Sequence, residues 1–328
     1  MKKLIALIIS ILTLSVSIFS LSACTRKIEG DYTFVAPDGA PALAIAKFIS
    51  DNEDFGTDAT FDYKIVSSTA INTAITVDKA DLVIMPLNAA TKLYNADKDN
   101  PYQLISVVTH GNFYLMSKTN LASASDLIGK VVFVPNPGKV PDWTFKCALN
   151  SLGLEFVVSD TAVNGKVAIK YYNTPQEFNA LLIQNATAIG LVPEPAVSVL
   201  KGKGVSVQLD LQEMYDAENK AYPQAVLLAK KSLVDKYPKL VNKIANAFPS
   251  NVAWVKENPS LAVSAVKGKF ETTTLNPNVI TSSTVDGCKI YWQSAKDAKT
   301  EIQNYITKIR GIDQASANIV ADEFFFNK

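Results

Sequence analysis

Hydrophobic and polar positions follow two alternating patterns along this chain. Short apolar runs of strand length are followed by stretches in which apolar residues recur at helical spacing. This alternation is typical of an α/β fold, because a helix must carry the chain back between neighbouring parallel strands. The pattern therefore predicts α/β architecture with mostly parallel sheets.

Four of the apolar runs end at a proline that precedes a helical stretch. The four strand ends are FVAP at 34–37, VIMP at 83–86, VFVP at 132–135 and GLVP at 190–193. Proline cannot extend a sheet ladder, and the Asp, Asn and Gly residues that follow favour helix starts. One such junction only stops a strand, but ligands of open α/β sheets bind beyond the carboxyl ends of strands. Two junctions in each half of this region predict two similar lobes facing one another across a cleft.

Two extended runs of strong β composition, residues 112–117 and 224–230, are predicted to cross between the lobes. We therefore expect lobe I to comprise residues 31–112 and 224–328, and lobe II to comprise residues 113–223.

The C-terminal stretch has helical periodicity. It predicts a helix over residues 239–258 with a break at Pro249, and a second helix over 294–310. We expect these helices to pack back on lobe I.

The first 23 residues have the pattern of a signal peptide. A short basic region and a mostly apolar run, residues 2–19, lead to small residues and Cys24. The sequence LSAC that ends at Cys24 resembles the bacterial lipobox, in which the cysteine is acylated after cleavage. The resemblance implies a palmitate-type lipid anchor at Cys24, a linker over 24–30, and a place on the extracytoplasmic face of the cell membrane. An uncleaved membrane anchor is the alternative, because about 20 apolar residues can span a bilayer.

Composition narrows the function. The 32 basic and 31 acidic residues give a net charge of +1, which indicates no nucleic-acid partner. Arg26 and Arg310 are the only arginines, and His110 is the only histidine, so a metal site with two histidines is excluded. Phosphate-loop, dinucleotide and nucleophile-elbow motifs are also missing. We expect no cofactor, no metal and no catalysis, and we expect Cys147 and Cys288 to be buried free thiols in different lobes.

Candidate ligand-binding residues come from the junctions, the neighbouring strand ends and the crossings. They are Asp38, Gly39 and Ala40 at the first junction; Ser67 and Ser68 after the next strand; Asn88 at the second junction; His110 and Asn112 at the first crossing; Asn136, Gly138, Asp142 and Trp143 at the third junction; Glu194 at the fourth; and Tyr222 at the return crossing.

Each candidate also has a structural interpretation. Asp38 and Asn88 can cap helices, and Glu194 can sit at a helix start where the dipole favours it. Trp143 can offer a ring face to a ligand or be buried in helix packing. His110 can contact solute or only shape the hinge.

Several segments, taken together in order and spacing, resemble a known family. They are PDGAPALAIAKFI, DLVIMPLNAATKLY, VTHGNFYL, VFVPNPGKVPDWTF, TPQEFNALLIQNATAIGLVPEPA, YPQAVLLAKKSLVDKYPKLV and AWVKENPSLA. The mature chain is similar to the nitrate, sulfonate, taurine and thiamine-precursor type of substrate-binding proteins of ABC importers. The sequence departs from the family pattern at two positions that concern the ligand. Relatives commonly carry an aromatic residue where His110 stands, and their loop at the position of Asn136 is more glycine-rich.

The resemblance implies a two-lobed, type II periplasmic-binding-protein-like fold that closes over a small organic solute and docks on an ABC permease. The predicted cleft has no arginine nearby and has aromatic, amide and carboxylate groups around it, while Lys139 and Lys146 are expected in solvent. A pyrimidine of the thiamine-precursor kind is therefore the first expectation and a sulfonate the second. An exported enzyme on the same fold, acting on a small aromatic or pyrimidine-like substrate, is the alternative. A surface receptor with a vestigial cleft is a third possibility.

Overall fold

The computed structural model describes most of the chain. It covers residues 27–77, 79–96, 99, 101–172 and 175–327. The predicted signal peptide and the predicted lipidation site, Cys24, lie outside the described residues. Within the described residues, no helix combines the length and apolar character needed to cross a bilayer.

Strands and short helices alternate through the first three quarters of the described chain, and long helices follow. The strands are β1 (Glu29–Pro37), β2 (Asp58–Val66), β3 (Leu82–Pro86), β4 (Tyr102–His110), β5 (Phe113–Ser117), β6 (Val131–Pro135), β7 (Phe156–Val158), β8 (Val167–Tyr172), β9 (Ile189–Pro193), β10 (Ser206–Asp210), β11 (Pro223–Lys230) and β12 (Ile290–Ser294). The helices are α1 (Ala40–Leu43), α2 (Ala46–Asp51), α3 (Ile71–Val77), α4 (Leu87–Ala96), α5 (Val140–Ser151), α6 (Pro175–Gln184), α7 (Ala196–Lys201), α8 (Leu211–Tyr215), α9 (Lys231–Lys236), α10 (Pro238–Glu257), α11 (Pro259–Lys269), α12 (Ser282–Gly287) and α13 (Ala295–Ile312).

These strands form two six-stranded sheets. The first has the order β12-β4-β11-β3-β1-β2 and the second β10-β5-β9-β6-β8-β7. We call the part of the protein built on the first sheet lobe I and the part built on the second lobe II. All four strand-proline runs end their strands at the proline, as the sequence pattern predicts.

The sheets are mixed, and not mostly parallel as the sequence predicts. Of the ten strand pairings in the described residues, five are parallel and five antiparallel. The antiparallel pairs lie where the chain passes between lobes. Strand β11 enters lobe I directly from lobe II, without a helical crossover, and therefore runs opposite to both of its neighbours, β3 and β4.

The two crossings are shorter than the sequence indicates. The runs predicted to cross, 112–117 and 224–230, mostly lie inside the sheets as β5 and β11. The chain crosses at residues 111–112 and returns at residues 216–222. A hydrogen bond from the Gly111 N–H to the Tyr222 carbonyl, 2.9 Å long, ties the two crossings together.

The long C-terminal helices differ from the prediction in two ways. Helix α10 continues through Pro249, so the predicted break is wrong. Pro249 faces solvent, while Phe248 on the same turn is buried in the core, so packing holds the helix across the missing N–H group. Helix α13 packs on lobe I and also reaches lobe II, where the Tyr305 hydroxyl lies 2.9 Å from that of Thr144.

The two described cysteines are separate. Cys147 lies in α5 of lobe II and Cys288 follows α12 of lobe I, and both are buried free thiols. This confirms the prediction from the sequence.

Candidate functional site

The second and third junctions meet where the two lobes face each other. The side-chain nitrogen Nδ2 of Asn88, at the start of α4, donates to the Gly138 carbonyl of lobe II at 3.0 Å. It also donates to the Ser316 carbonyl, from the chain that follows α13, at 3.1 Å. Asn88 is the second residue of α4, so it does not cap that helix. The sequence predicted both residues as candidates, and the structure brings them together.

The third junction is held in one conformation from within lobe II. Asn136 and Gly138 both have positive φ, 54° and 73°. The Gly138 N–H donates to Oδ2 of Asp142 at 2.8 Å, and the Trp143 indole N–H donates to the Gly138 carbonyl at 2.9 Å. The loop therefore presents the Gly138 carbonyl to Asn88 in a fixed direction.

A buried ionic cluster lies behind this loop. The Lys146 ammonium is 3.0 Å from the Asp142 carboxylate and 2.9 Å from the Tyr171 hydroxyl, which itself donates to Asp142. The prediction that Lys146 is solvated is wrong, since its side chain is only 10% exposed. Burial lowers the pKa of Lys146, but the hydrogen bond that its ammonium donates to Tyr171 and the charge of Asp142 outweigh burial and raise that pKa. Lys146 also lies 4.5 Å from the centre of the Trp143 ring, so this ring has one face covered.

A second contact between the lobes forms at the fourth junction. The Glu194 carboxylate accepts hydrogen bonds from the Ser198 N–H and hydroxyl, at 3.1 and 3.0 Å, at the start of α7. The Ser198 hydroxyl in turn lies 3.2 Å from that of Thr284 in lobe I. A Cβ added to Gly287 would come within 3.0 Å of the Glu194 side chain, so the lobes approach closely here. Burial raises the pKa of Glu194, and the bonds from Ser198 oppose that rise.

At the first junction, the Asp38 carboxylate is hydrogen-bonded within lobe I. The Asp38 carboxylate accepts from the hydroxyl of Thr273 and from both the N–H and hydroxyl of Thr274, the latter two at 2.7 Å. The N-cap of α1 is Gly39, and no side chain caps it, so the capping interpretation of Asp38 is wrong.

Gly39, Ala40, Ser67 and Ser68 differ in how far they are exposed. Gly39 has φ of 97° and ψ of −146°, and no atom lies within 4 Å of the position that a Cβ would take. Ala40 is buried beside it. Ser67 is half-buried and Ser68 exposed, and the Ser67 hydroxyl lies 3.1 Å from that of Thr69.

His110, at the end of β4, is buried in an aromatic and amide environment. Its ring stacks on Tyr291 with 3.5 Å between centroids, and its Nε2 lies 3.1 Å from Oε1 of Gln293. Burial lowers the pKa of His110 to about 4, and the bond to Gln293 opposes that shift only partly. The imidazole is therefore neutral at physiological pH.

Asn112 and Tyr222 lie at the crossings. Nδ2 of Asn112 donates to the Glu194 carbonyl at 3.1 Å, and the Glu194 N–H donates back to the Asn112 carbonyl at 3.0 Å. The Tyr222 ring is fully buried and packs so closely on Gly111 that a Cβ there would come within 2.2 Å. Both residues thus help to shape the hinge.

Several residues that take part in these contacts were not predicted, among them Tyr171, Ser198, Thr273, Thr274, Thr284, Tyr305 and Ser316. The last five come from the C-terminal third, far in sequence from their partners, and local patterning contains no signal for such pairs. Within the described residues, no group of three His, Cys, Asp or Glu side chains is arranged to hold a metal ion.

The two α/β lobes are joined by two adjacent crossings, and their strand ends face each other. This arrangement defines a periplasmic-binding-protein-like fold. Solved structures share it. An ABC transporter protein from Parabacteroides distasonis is 19% identical, with a TM-score of 0.72 over 90% of this chain and 99% of that one. The periplasmic aliphatic sulphonate binding protein SsuA from Escherichia coli is 14% identical, with a TM-score of 0.65 over 90% and 92%.

A third similar structure is the ligand-binding component of an ABC-type import system from Staphylococcus aureus with zinc bound. It is 11% identical, with a TM-score of 0.63 over 90% of this chain and 96% of that one. No protein-family model matches the chain, and no curated protein matches it in sequence. At these identities the similarity establishes the fold.

Proposed function

We propose that this chain is a solute-binding protein of an ABC importer, which captures a small organic solute between its lobes and delivers it to a permease. The contact between Asn88 and Gly138 carries this proposal. It joins strand ends of the two sheets at the position where open α/β sheets bind ligands, and the Oδ1 atom of Asn88 has no hydrogen-bond partner among the residues that the structure describes. Closure of two lobes over a ligand is an established way for such folds to signal an occupied state.

The solute would lie on the side of this contact away from the hinge. In this proposal, Gly39 and Ser67 would border the solute from lobe I, and Asn136 and Gly138 from lobe II. The remaining predicted residues support the site: Asp142 and Trp143 hold the Gly138 loop, while His110, Asn112, Glu194 and Tyr222 lie towards the hinge. All of these residues, together with Asp38, Ala40, Ser68 and Asn88, form the set that we propose for ligand binding.

We also propose that the protein is exported, that residues 1–23 are removed, and that Cys24 carries the lipid anchor. For the lobes we propose the bounds given above, residues 31–112 and 224–328 for lobe I and residues 113–223 for lobe II. The support is the order of basic, apolar and small residues before Cys24. Two acyl chains are enough for stable membrane attachment, because each buried methylene contributes about 0.8 kcal/mol.

For the solute, we propose a pyrimidine of the thiamine-precursor kind first and a sulfonate second. In the described residues, the guanidinium of Arg310 donates to the Gln314 and Ala317 carbonyls and so is engaged by the adjoining chain. The sulphonate-binding protein of the same fold is the reason to retain the second class.

Native mass spectrometry of residues 25–328, as purified and with pyrimidines, sulfonates, taurine and amino acids, tests the proposal. One unmodified solute bound per chain is the expected result. A ligand at 100 times its Kd should add about 2.7 kcal/mol of stability, visible in a thermal melt. A chemically altered solute would instead support an enzyme, and no binding at all would contradict the importer function.

A further inference from the structure

A cavity in lobe I lies away from the space between the lobes. Its walls come from β4, β12, α10, the start of α13 and the C-terminal segment. The volume is about 340 Å³, which falls within the range of about 300–1,000 Å³ that is usual for small-molecule sites. The cavity is therefore large enough for a small organic ligand.

The position of this cavity separates it from the cleft. Ile105, which lines it, stands five residues before His110 at the end of β4, so the two are about 17 Å apart along the strand. Trp292 of β12 also lines the cavity, whereas its neighbours Tyr291 and Gln293 contact His110 from the opposite face of that strand. A molecule in the cavity would thus occupy a site of its own.

The buried part of the lining is apolar. Ile105, Ala245 of α10 and Phe326 of the C-terminal segment all line the cavity and are buried. The half-buried Trp292 adds a flat aromatic surface, on which a planar ring packs well. This part of the cavity suits the hydrocarbon body of a ligand.

The more exposed part of the lining is polar and carries positive charge. Asn242 is half-buried, and Asn246, Lys296 and Asn327 are exposed. None of these four side chains forms a hydrogen bond or an ion pair with another residue that the structure describes. The Lys296 ammonium can only donate, each amide can donate as well, and the described lining contains no acidic side chain. The rim therefore favours an anion.

Trp292 supplies a further donor. Its indole N–H is buried and has no hydrogen-bond partner in the described part of the chain. Buried donors without a partner are rare in folded proteins, so this one favours an acceptor in the adjoining cavity. A carboxylate accepts hydrogen bonds more strongly than a neutral group does, and it also supplies the negative charge that Lys296 attracts.

We propose that this cavity is a second ligand site, which binds a small organic carboxylate with an aromatic or other apolar body. The carboxylate lies on the Lys296 side, and the body packs on Trp292 and Phe326. An amine would be repelled by Lys296, and a compact oxyanion such as phosphate would leave the apolar part unfilled. This site goes beyond solute capture between the lobes and does not depend on it.

The first test titrates the ¹⁵N-labelled protein with benzoate and follows the indole N–H signal of Trp292 by NMR. The signal is assigned by its loss in Trp292→Phe. We expect a saturable shift with a Kd on the order of 1 mM or below. Benzamide, which has the same ring without the charge, should bind at least about threefold more weakly, and acetate, which lacks the ring, should also bind more weakly. A shift that does not saturate, or equal affinities for benzoate and benzamide, would contradict the proposal.

The second test removes the charge at the rim. Lys296→Met should weaken benzoate binding about three- to tenfold at low salt and less at high salt, while the affinity for benzamide stays unchanged. Lys296→Arg retains the charge and should retain the affinity. Lys203→Met, at an exposed turn of lobe II, is the matched control and should change neither affinity. Benzoate that binds only between the lobes would be insensitive to Lys296→Met, and that outcome would overturn the assignment.

The third test fills the apolar part of the cavity. Ala245→Leu adds bulk to its buried wall, and it should abolish the binding of both benzoate and benzamide. A cooperative thermal melt of this variant checks that it is folded. A folded Ala245→Leu protein that still binds benzoate with the original affinity would place the ligand elsewhere and overturn the proposal.

Discussion

The first and third junctions have the same sequence signal but different roles. Each is a buried strand that ends in proline and is followed by a glycine with positive φ and a nearby aspartate. At the first junction, Asp38 binds the chain at Thr273 and Thr274 of its own lobe. At the third, Asp142 binds the Gly138 N–H and so fixes the carbonyl that Asn88 meets across the cleft.

The difference shows that the structural role of a carboxylate near a helix start depends on its surroundings. The charged side chains and the chain segments that pack against the carboxylate determine what it binds. Asp142 is buried against Lys146 and Tyr171, so its negative charge is balanced inside lobe II. Asp38 is half-buried and bound by neutral donors of a loop. The first arrangement gives a rigid loop, and the second attaches a distant segment to lobe I.

The largest expected effect is at the third junction. Asp142→Ala leaves the buried Lys146 ammonium without its counter-ion and removes the acceptor of the Gly138 N–H. We expect it to lower the free energy of unfolding by about 3–5 kcal/mol, measured by urea unfolding at an unchanged m-value. Adding Lys146→Met should recover part of the loss, because no unpaired charge remains. A loss below about 1 kcal/mol would show that Lys146 reaches solvent and would contradict the buried pair.

The two junction glycines should differ in their tolerance of a side chain. A Cβ meets no atom within 4 Å at either Gly39 or Gly138, so only the backbone conformation matters. Gly39, with φ of 97° and ψ of −146°, lies in a region that is almost confined to glycine, whereas the φ of 73° at Gly138 is closer to the left-handed helical region. We expect Gly39→Ala to cost about 2–3 kcal/mol and Gly138→Ala about 1 kcal/mol in thermal unfolding. The reverse order would contradict this comparison.

A smaller effect is expected for the acid of the first junction. Asp38→Ala removes the acceptor of three hydrogen bonds, but water can replace it at this half-buried position, so we expect a loss of about 1–2 kcal/mol. Amide exchange of Thr274 should become faster, and Asp38→Asn, which retains one oxygen, should lose less. A loss as large as that of Asp142→Ala would mean that the two junctions are equivalent after all.

Local chemistry allowed much of the fold to be predicted. The four strand-proline ends, the α/β alternation and the two lobes follow from which residues can continue a strand or begin a helix. Partners from distant segments could not be predicted in this way. Asn88 is 228 positions from Ser316, and Asp38 is 235 positions from Thr273, and no local pattern connects such pairs.

Two wrong predictions, a helix break at Pro249 and a solvated Lys146, also failed because of packing that local sequence does not show. A proline inside a helix normally breaks it, but the packing of Phe248 and Asn251 on either side of Pro249 overrides that preference. Lys146 stands four residues after Asp142, a spacing that suggests an ion pair on one helix face. Its burial, however, depends on Tyr171, which another strand supplies. Sequence alone therefore predicts where strands end and helices begin better than it predicts what each side chain at these junctions contacts.

The smallest expected effect concerns Lys139, which precedes α5 at the third junction and has no counterpart at the first. Burial, together with the positive charge of Lys92 in the other lobe, lowers the pKa of Lys139, so its charged form is disfavoured in the folded state. Lys139→Met should therefore raise stability at neutral pH by about 0.5 kcal/mol at low salt, and less as salt screens the repulsion. The gain should begin to shrink as the pH rises past the lowered pKa of Lys139, and it should be gone above the ordinary pKa of lysine, where the side chain is neutral in both the folded and the unfolded state. Lys203→Met, at an exposed turn after α7, is the control for loss of charge alone; an equal gain there, or a gain that grows with salt, would contradict repulsion between the lobes.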